Sequence, residues 1–100
     1  MSNLIERVAR AAGWHYANGN AEQWEHGTFS RVTAVRGTLT DAGLVLLLRE
    51  LLEAGWYAGK ENGRFIVDTT LSPKPHRGGY EYYTADTLEE AVLLAYDAHK

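Results

Sequence analysis

The stretch Leu51-Leu52-Glu53-Ala54-Gly55-Trp56-Tyr57, continuing to Glu61-Asn62-Gly63, decides how this chain is read. A leucine-rich run stops at a glycine, a tryptophan follows at once, and an Asn-Gly pair comes shortly after. Gly just beyond a helix takes the left-handed conformation that closes it, because it has no Cβ to clash. A Trp there starts a strand with a large apolar anchor, and Asn-Gly suits the tight turn of a hairpin. The same phrase occurs earlier, as Ala12-Gly13-Trp14 followed by Asn18-Gly19. The expected fold is one α+β domain over residues 1–100, with helices packed on antiparallel sheet. Two helix-then-hairpin units, about residues 3–37 and 38–71, lead to a closing strand and helix over 80–99. Whether the two units share one sheet or build two layers is open at this point.

Helical spacing carries the three helices. Leu4, Ile5, Val8, Ala9, Ala11 and Ala12 fall on one side of a first helix, with Glu6, Arg7 and Arg10 opposite. A second helix starts near Asp41, with Thr38 or Thr40 as its cap, and repeats Leu44, Leu47, Leu48 and Leu51. Val45, Leu52 and Ala54 widen that apolar arc, whereas Leu46 falls in the polar stripe with Arg49, Glu50 and Glu53. A third begins at the Thr87–Glu90 capping box and ends near His99, with Leu93 set among Glu89, Glu90 and Asp97. Between helices, Phe65, Val67, Thr69 and Leu71 alternate with Arg64, Ile66, Asp68 and Thr70, the period of a half-buried strand.

Composition narrows the chemistry. There are 100 residues and no cysteine, which excludes disulfides, thiolate metal sites and Cys nucleophiles. The formal net charge is −3, and residues 51–100 carry the whole excess, with eight acids against five bases. That is a poor prior for phosphate-backbone binding, which runs on clustered Lys and Arg. The N-terminus lacks the long apolar core of a signal peptide, and the run Leu44–Leu48 is too short to span a bilayer, so a soluble, cytoplasmic chain is expected. Neither a phosphate loop nor His-Glu-x-x-His nor Gly-x-Ser-x-Gly is present, and His15, His26, His76 and His99 lack paired metal spacing. No catalytic residue, metal ligand or cofactor is assigned. Asp68, in mid-strand beside Tyr82 or His76, is weighed as a general acid or base and read instead as a solvated strand acid.

The candidate partner-binding residues are Lys74, His76, Arg77, Tyr80 and Tyr82. They combine the one concentrated basic loop with two tyrosines that share a strand face by alternation. Such a loop suits an acidic protein patch, a phosphate or a base; the competing reading is a solvated hairpin loop. Leu46 and Leu93, each out of step with its helix, are the candidate self-association residues, unless the two helices bury those edges against each other.

From Trp56 to Ala98 the chain resembles small bacteriophage and prophage α/β proteins, including phage ABA-sandwich domains. The resemblance lies in Gly55-Trp56 after a leucine-rich helix and in the aromatic strand entering Thr84-Ala85-Asp86-Thr87-Leu88-Glu89-Glu90-Ala91. It implies a mobile-element protein that binds host machinery, similar in size and acidity to anti-CRISPR and other anti-defence proteins. The expected function is therefore a non-enzymatic protein-binding module that inhibits a host defence complex, such as a CRISPR effector, by occupying its surface. A nucleic-acid- or nucleotide-binding accessory domain and a homo-oligomeric structural or assembly protein, for instance a homodimer, are the alternatives.

Overall fold

A computed structural model describes residues 4–17, 22–27, 31–69 and 82–100. Among these residues, three helices and two separate antiparallel sheets make an α+β globule of 41 × 27 × 22 Å. The helices are α1 (Leu4–Ala11), α2 (Asp41–Glu53) and α3 (Leu88–His99). The first sheet runs β1 (His15–Ala17), β2 (Gln23–His26), β3 (Arg31–Val35) and β4 (Thr38–Leu39) in chain order. The second runs β5 (Tyr57–Glu61), β6 (Arg64–Asp68) and β7 (Tyr82–Ala85). The strands thus form two sheets: β4, at Thr38–Leu39, joins the first sheet although the second unit is expected to begin there, and β7 of the closing segment completes the second. α2 packs on β3 and β4, α3 packs on β6 and β7, and both α1 and α2 pack on α3.

Both Ala-Gly-Trp phrases close their helices by one mechanism. Gly13 and Gly55 have φ of +78° and +99°. After α1, Gly13 N–H donates to the Arg10 carbonyl at 3.1 Å and Trp14 N–H to the Ala9 carbonyl at 2.9 Å. After α2, Gly55 donates to Leu52 at 3.1 Å and Trp56 to Leu51 at 3.0 Å. This paired pattern is the Schellman closure, which satisfies carbonyls the helix leaves open. It delivers Trp14 and Trp56 into the core with Leu47, Leu51, Val67, Val92 and Tyr96. Asn62 and Gly63 both take positive φ, 52° and 79°, and join β5 to β6 as a two-residue hairpin turn. Asn18-Gly19 lies outside the described residues.

A second two-residue hairpin turn, joining β3 to β4, carries no strong sequence signal. Arg36 and Gly37 have φ of 51° and 80°, and Val35 pairs with Thr38, so Thr38 belongs to β4 and cannot cap α2. Arg carries none of the turn signal that Asn carries. The cap is Thr40: its Oγ1 accepts from Gly43 N–H at 3.1 Å and donates to the Val32 carbonyl at 2.7 Å. Thr87 caps α3 as expected, accepting from Glu90 N–H at 3.1 Å.

The outward side of α2 also differs from the expectation. Gly43, Leu47 and Leu51 are its buried residues, and at about 100° per residue Val45 and Leu52 project to the opposite side. They are 52% and 49% exposed, and Leu46 is half-buried. The rotation follows from packing on two flanks, β3 and β4 on one side and α3 on the other. Leu93 is only 5% exposed and sits in the core, because α3 is enclosed by α1, α2, β6 and β7. It offers no surface to a second copy, which removes it as a self-association residue.

Candidate functional site

Where the expected partner-binding residues stand can be said for only one of them. Lys74, His76, Arg77 and Tyr80 lie outside the described residues, whereas Tyr82 is on β7 and 55% exposed. Cross-strand pairing sets Tyr57, Asp68 and Tyr82 in one row across the second sheet. Directly paired residues share a face, so both tyrosines flank Asp68 on the side of the sheet turned away from α3, against which Val67 is packed. Asp68 is half-buried, and its Oδ1 is enclosed without a hydrogen-bond partner. Sequence alternation puts Asp68 beside Tyr82; the row adds Tyr57, which only the hairpin register brings there. Among the described residues no group of three His, Asp or Glu side chains is placed to hold a metal ion.

Two other surfaces carry more. The first is the outward face of α2. Val45, Leu48 and Leu52 form an apolar stripe along it, flanked by Arg49 and Glu53. Neither flanking charge has an ion pair among the described residues, although they are four apart. Apolar centres with charged rims are the ordinary anatomy of protein interfaces. Helical periodicity assigns Val45 and Leu52 to the core; the close approach of Gly43 to the Thr33 carbonyl shows that the opposite face of α2 is the one held.

The second is a cleft of about 340 Å³ between α1 and the first sheet. Ile5, Glu6 and Arg10 come from α1, Tyr16 from β1, and Glu22, Trp24 and Gly37 from the strands and turn beyond. Register places Tyr16 opposite Trp24, and their ring centroids are 4.9 Å apart at 54°. The Arg10 guanidinium lies over the Trp24 ring, 5.6 Å from its centroid, and its Nη2 is 3.4 Å from Glu6 Oε1. No local motif announces this cleft, because three segments meet only when the hairpin folds back on α1.

A partly buried polar contact elsewhere is structural. Tyr96 hydroxyl donates to Glu50 Oε2 at 2.7 Å, and Lys100 Nζ stands 2.8 Å from Glu50 Oε1. Burial, then the hydrogen bond and charge of Glu50, push the Tyr96 phenol well above its ordinary 10.0. Burial works against the Glu50 carboxylate, but hydrogen bonds from Lys100 and Tyr96 together hold it below its ordinary 4.5. This group ties α2 to α3 and faces neither surface described above.

No protein-family model matches the chain, and no curated protein or solved structure is significantly similar to it.

Proposed function

We propose that this chain is a non-enzymatic protein-binding module that pairs with a second copy of itself across the outward face of α2. The observation carrying this reading is the stripe Val45–Leu48–Leu52 with its unpaired flank, Arg49 and Glu53. A two-fold interface is self-complementary: whatever residue i meets in the partner, that partner residue meets in return. Two α2 helices crossing antiparallel bring Leu48 of one against Leu52 of the second copy. The same crossing brings Arg49 against Glu53 of the second copy, twice by symmetry. The flank that lacks an internal partner thereby finds one.

Sedimentation equilibrium tests this. The wild type is expected to sediment as a dimer, and Arg49→Glu and Glu53→Arg each to shift it toward monomer. Mixed together, the two variants should dimerise again, because one copy then carries acids at both positions and the other carries bases at both. A monomeric wild type at the highest soluble concentration, or a mixture that stays monomeric, overturns the pairing.

The narrower form of the reading is occupation of a host defence complex. The acidic balance of the chain and the phage-protein resemblance of residues 56–98 support it. A tagged pull-down that captures a nucleic-acid-guided defence complex in stoichiometric amount would establish it. A clean eluate from a lysate containing such a complex counts against it.

A further inference from the structure

We infer that the cleft between α1 and the first sheet is a subsite for an arginine side chain of a basic partner peptide, with Arg10 as the internal occupant of its aromatic wall. The inference names the partner's chemistry, and so rests on the reading of the chain as a protein-binding module.

The cleft already displays the interaction it would offer. Trp24 is 7% exposed and fixed in the sheet, and a guanidinium, that of Arg10, lies over it. Planar, weakly hydrated guanidinium groups stack on aromatic faces and pair with carboxylates through a two-pronged hydrogen bond. Tyr16 adds a second ring beside Trp24 and keeps 49% of its surface open to solvent. A guanidinium entering there meets an open aromatic face before it displaces anything.

The charges in the cleft are unbalanced in the same sense. Glu6 and Glu22 bring two carboxylates, and Arg10 brings one cation. Arg10 is paired with Glu6 at 3.4 Å, while Glu22 has no ion pair among the described residues. Glu22 has a backbone φ of +45°, and its carbonyl accepts from Arg36 N–H at 3.3 Å, which anchors the residue at the cleft wall. One further cation neutralises the site, and two carboxylates disfavour a phosphate group in the same space. Lysine would satisfy the charge, yet its compact ammonium lacks the flat surface that two rings reward. Arg10, on an exposed face of α1, can swing aside because its own contacts are open to solvent and individually weak.

Titration of the labelled protein by NMR, with sedimentation mass recorded on the same samples, tests the subsite. The probes are N-acetyl-arginine methylamide, its lysine and citrulline counterparts, free arginine, and a hexapeptide containing two arginines. Saturable shifts at the Trp24 indole and Tyr16 are expected with the arginine amide, weaker ones with lysine, and none with uncharged citrulline. The hexapeptide should bind more tightly than free arginine. Glu22→Gln should weaken the arginine amide at least fivefold, and Arg10→Ala should tighten it by removing the competitor. Equal response to citrulline, binding of free arginine alone, or weakened binding in Arg10→Ala overturns the proposal. Because the mass is read independently, a failed subsite leaves the α2 contact standing, and a monomeric sample leaves the subsite standing.

Discussion

At the scale of single residues, the contact between Thr33, Thr40 and Gly43 decides how the first sheet meets α2. Trp24 pairs with Ala34 while Glu25 pairs with Val32, so Thr33 is the extra residue of a bulge. The Thr33 carbonyl accepts from Thr40 N–H at 2.9 Å, and the backbone of Gly43 rests on the same carbonyl. A Cβ at Gly43 would overlap that oxygen and its carbon. Gly43→Ala is therefore expected to cost about 3 kcal/mol or more in urea unfolding, since backbone on both sides of the contact cannot yield as a side chain can. Thr40→Ala should cost about 1–2 kcal/mol by removing the cap and the bond to Val32 together. Thr33→Val should be neutral or raise stability by up to about 1 kcal/mol, because the Thr33 hydroxyl is fully buried with no partner. A marked loss in Thr33→Val would mean that the hydroxyl is satisfied in solution. None of this contact was legible beforehand: a bulge leaves no residue signature, and Gly43 reads locally as a weak point in a helix.

At the scale of elements, what was legible was what is local. The Schellman glycines, the Asn62-Gly63 turn and the Thr87 cap are set by backbone geometry within six residues, and each was readable as such. Gly13→Ala and Gly55→Ala should each cost about 1–2 kcal/mol, the penalty for holding a Cβ in the left-handed region. Burial, by contrast, is set by neighbours. Leu93 looked exposed among acids, yet α3 is enclosed on most sides; Val45 and Leu52 looked buried, yet α2 is held along its flanks. Glu50 shows the same rule from the polar side, since it lies at the buried margin of α2 only because Tyr96 and Lys100 receive it. Its folded pKa is below the ordinary value, so its contribution is present above about 4.5 and is lost as pH falls through the lower native value. Thermal melting should therefore drop as pH falls below about 4.5, and drop less in Glu50→Gln. An identical acid drop in that variant would assign the effect to other carboxylates. Tyr96 works in the opposite direction: its raised pKa favours the neutral phenol, and stability falls as pH rises beyond 10.0.

At the scale of the whole molecule, two sheets that share no strand meet through helices among the described residues: α2 packs on strands of both, and α3 packs on the second sheet and on α1 and α2. The repeated phrase marks two helix ends, but how the strands that follow them combine is written in neither copy. The candidate cleft was hidden for the same reason, since Arg10 and Trp24 acquire a relation only after the chain doubles back. The two-pronged pair from Arg7 Nε and Nη2 to Asp97 Oδ1 and Oδ2, each at 3.2 Å, spans 90 positions of sequence. α1 thus rests against the element that is farthest from it along the chain. A nascent polypeptide leaving the ribosome must hold α1, with its apolar side uncovered, until α3 has been synthesised. Closing so long a loop before its contacts reward it slows folding, and an uncovered helix in the interval is a target for chaperones and proteases. This architecture therefore places a hazard at the birth of the molecule that its finished form does not display.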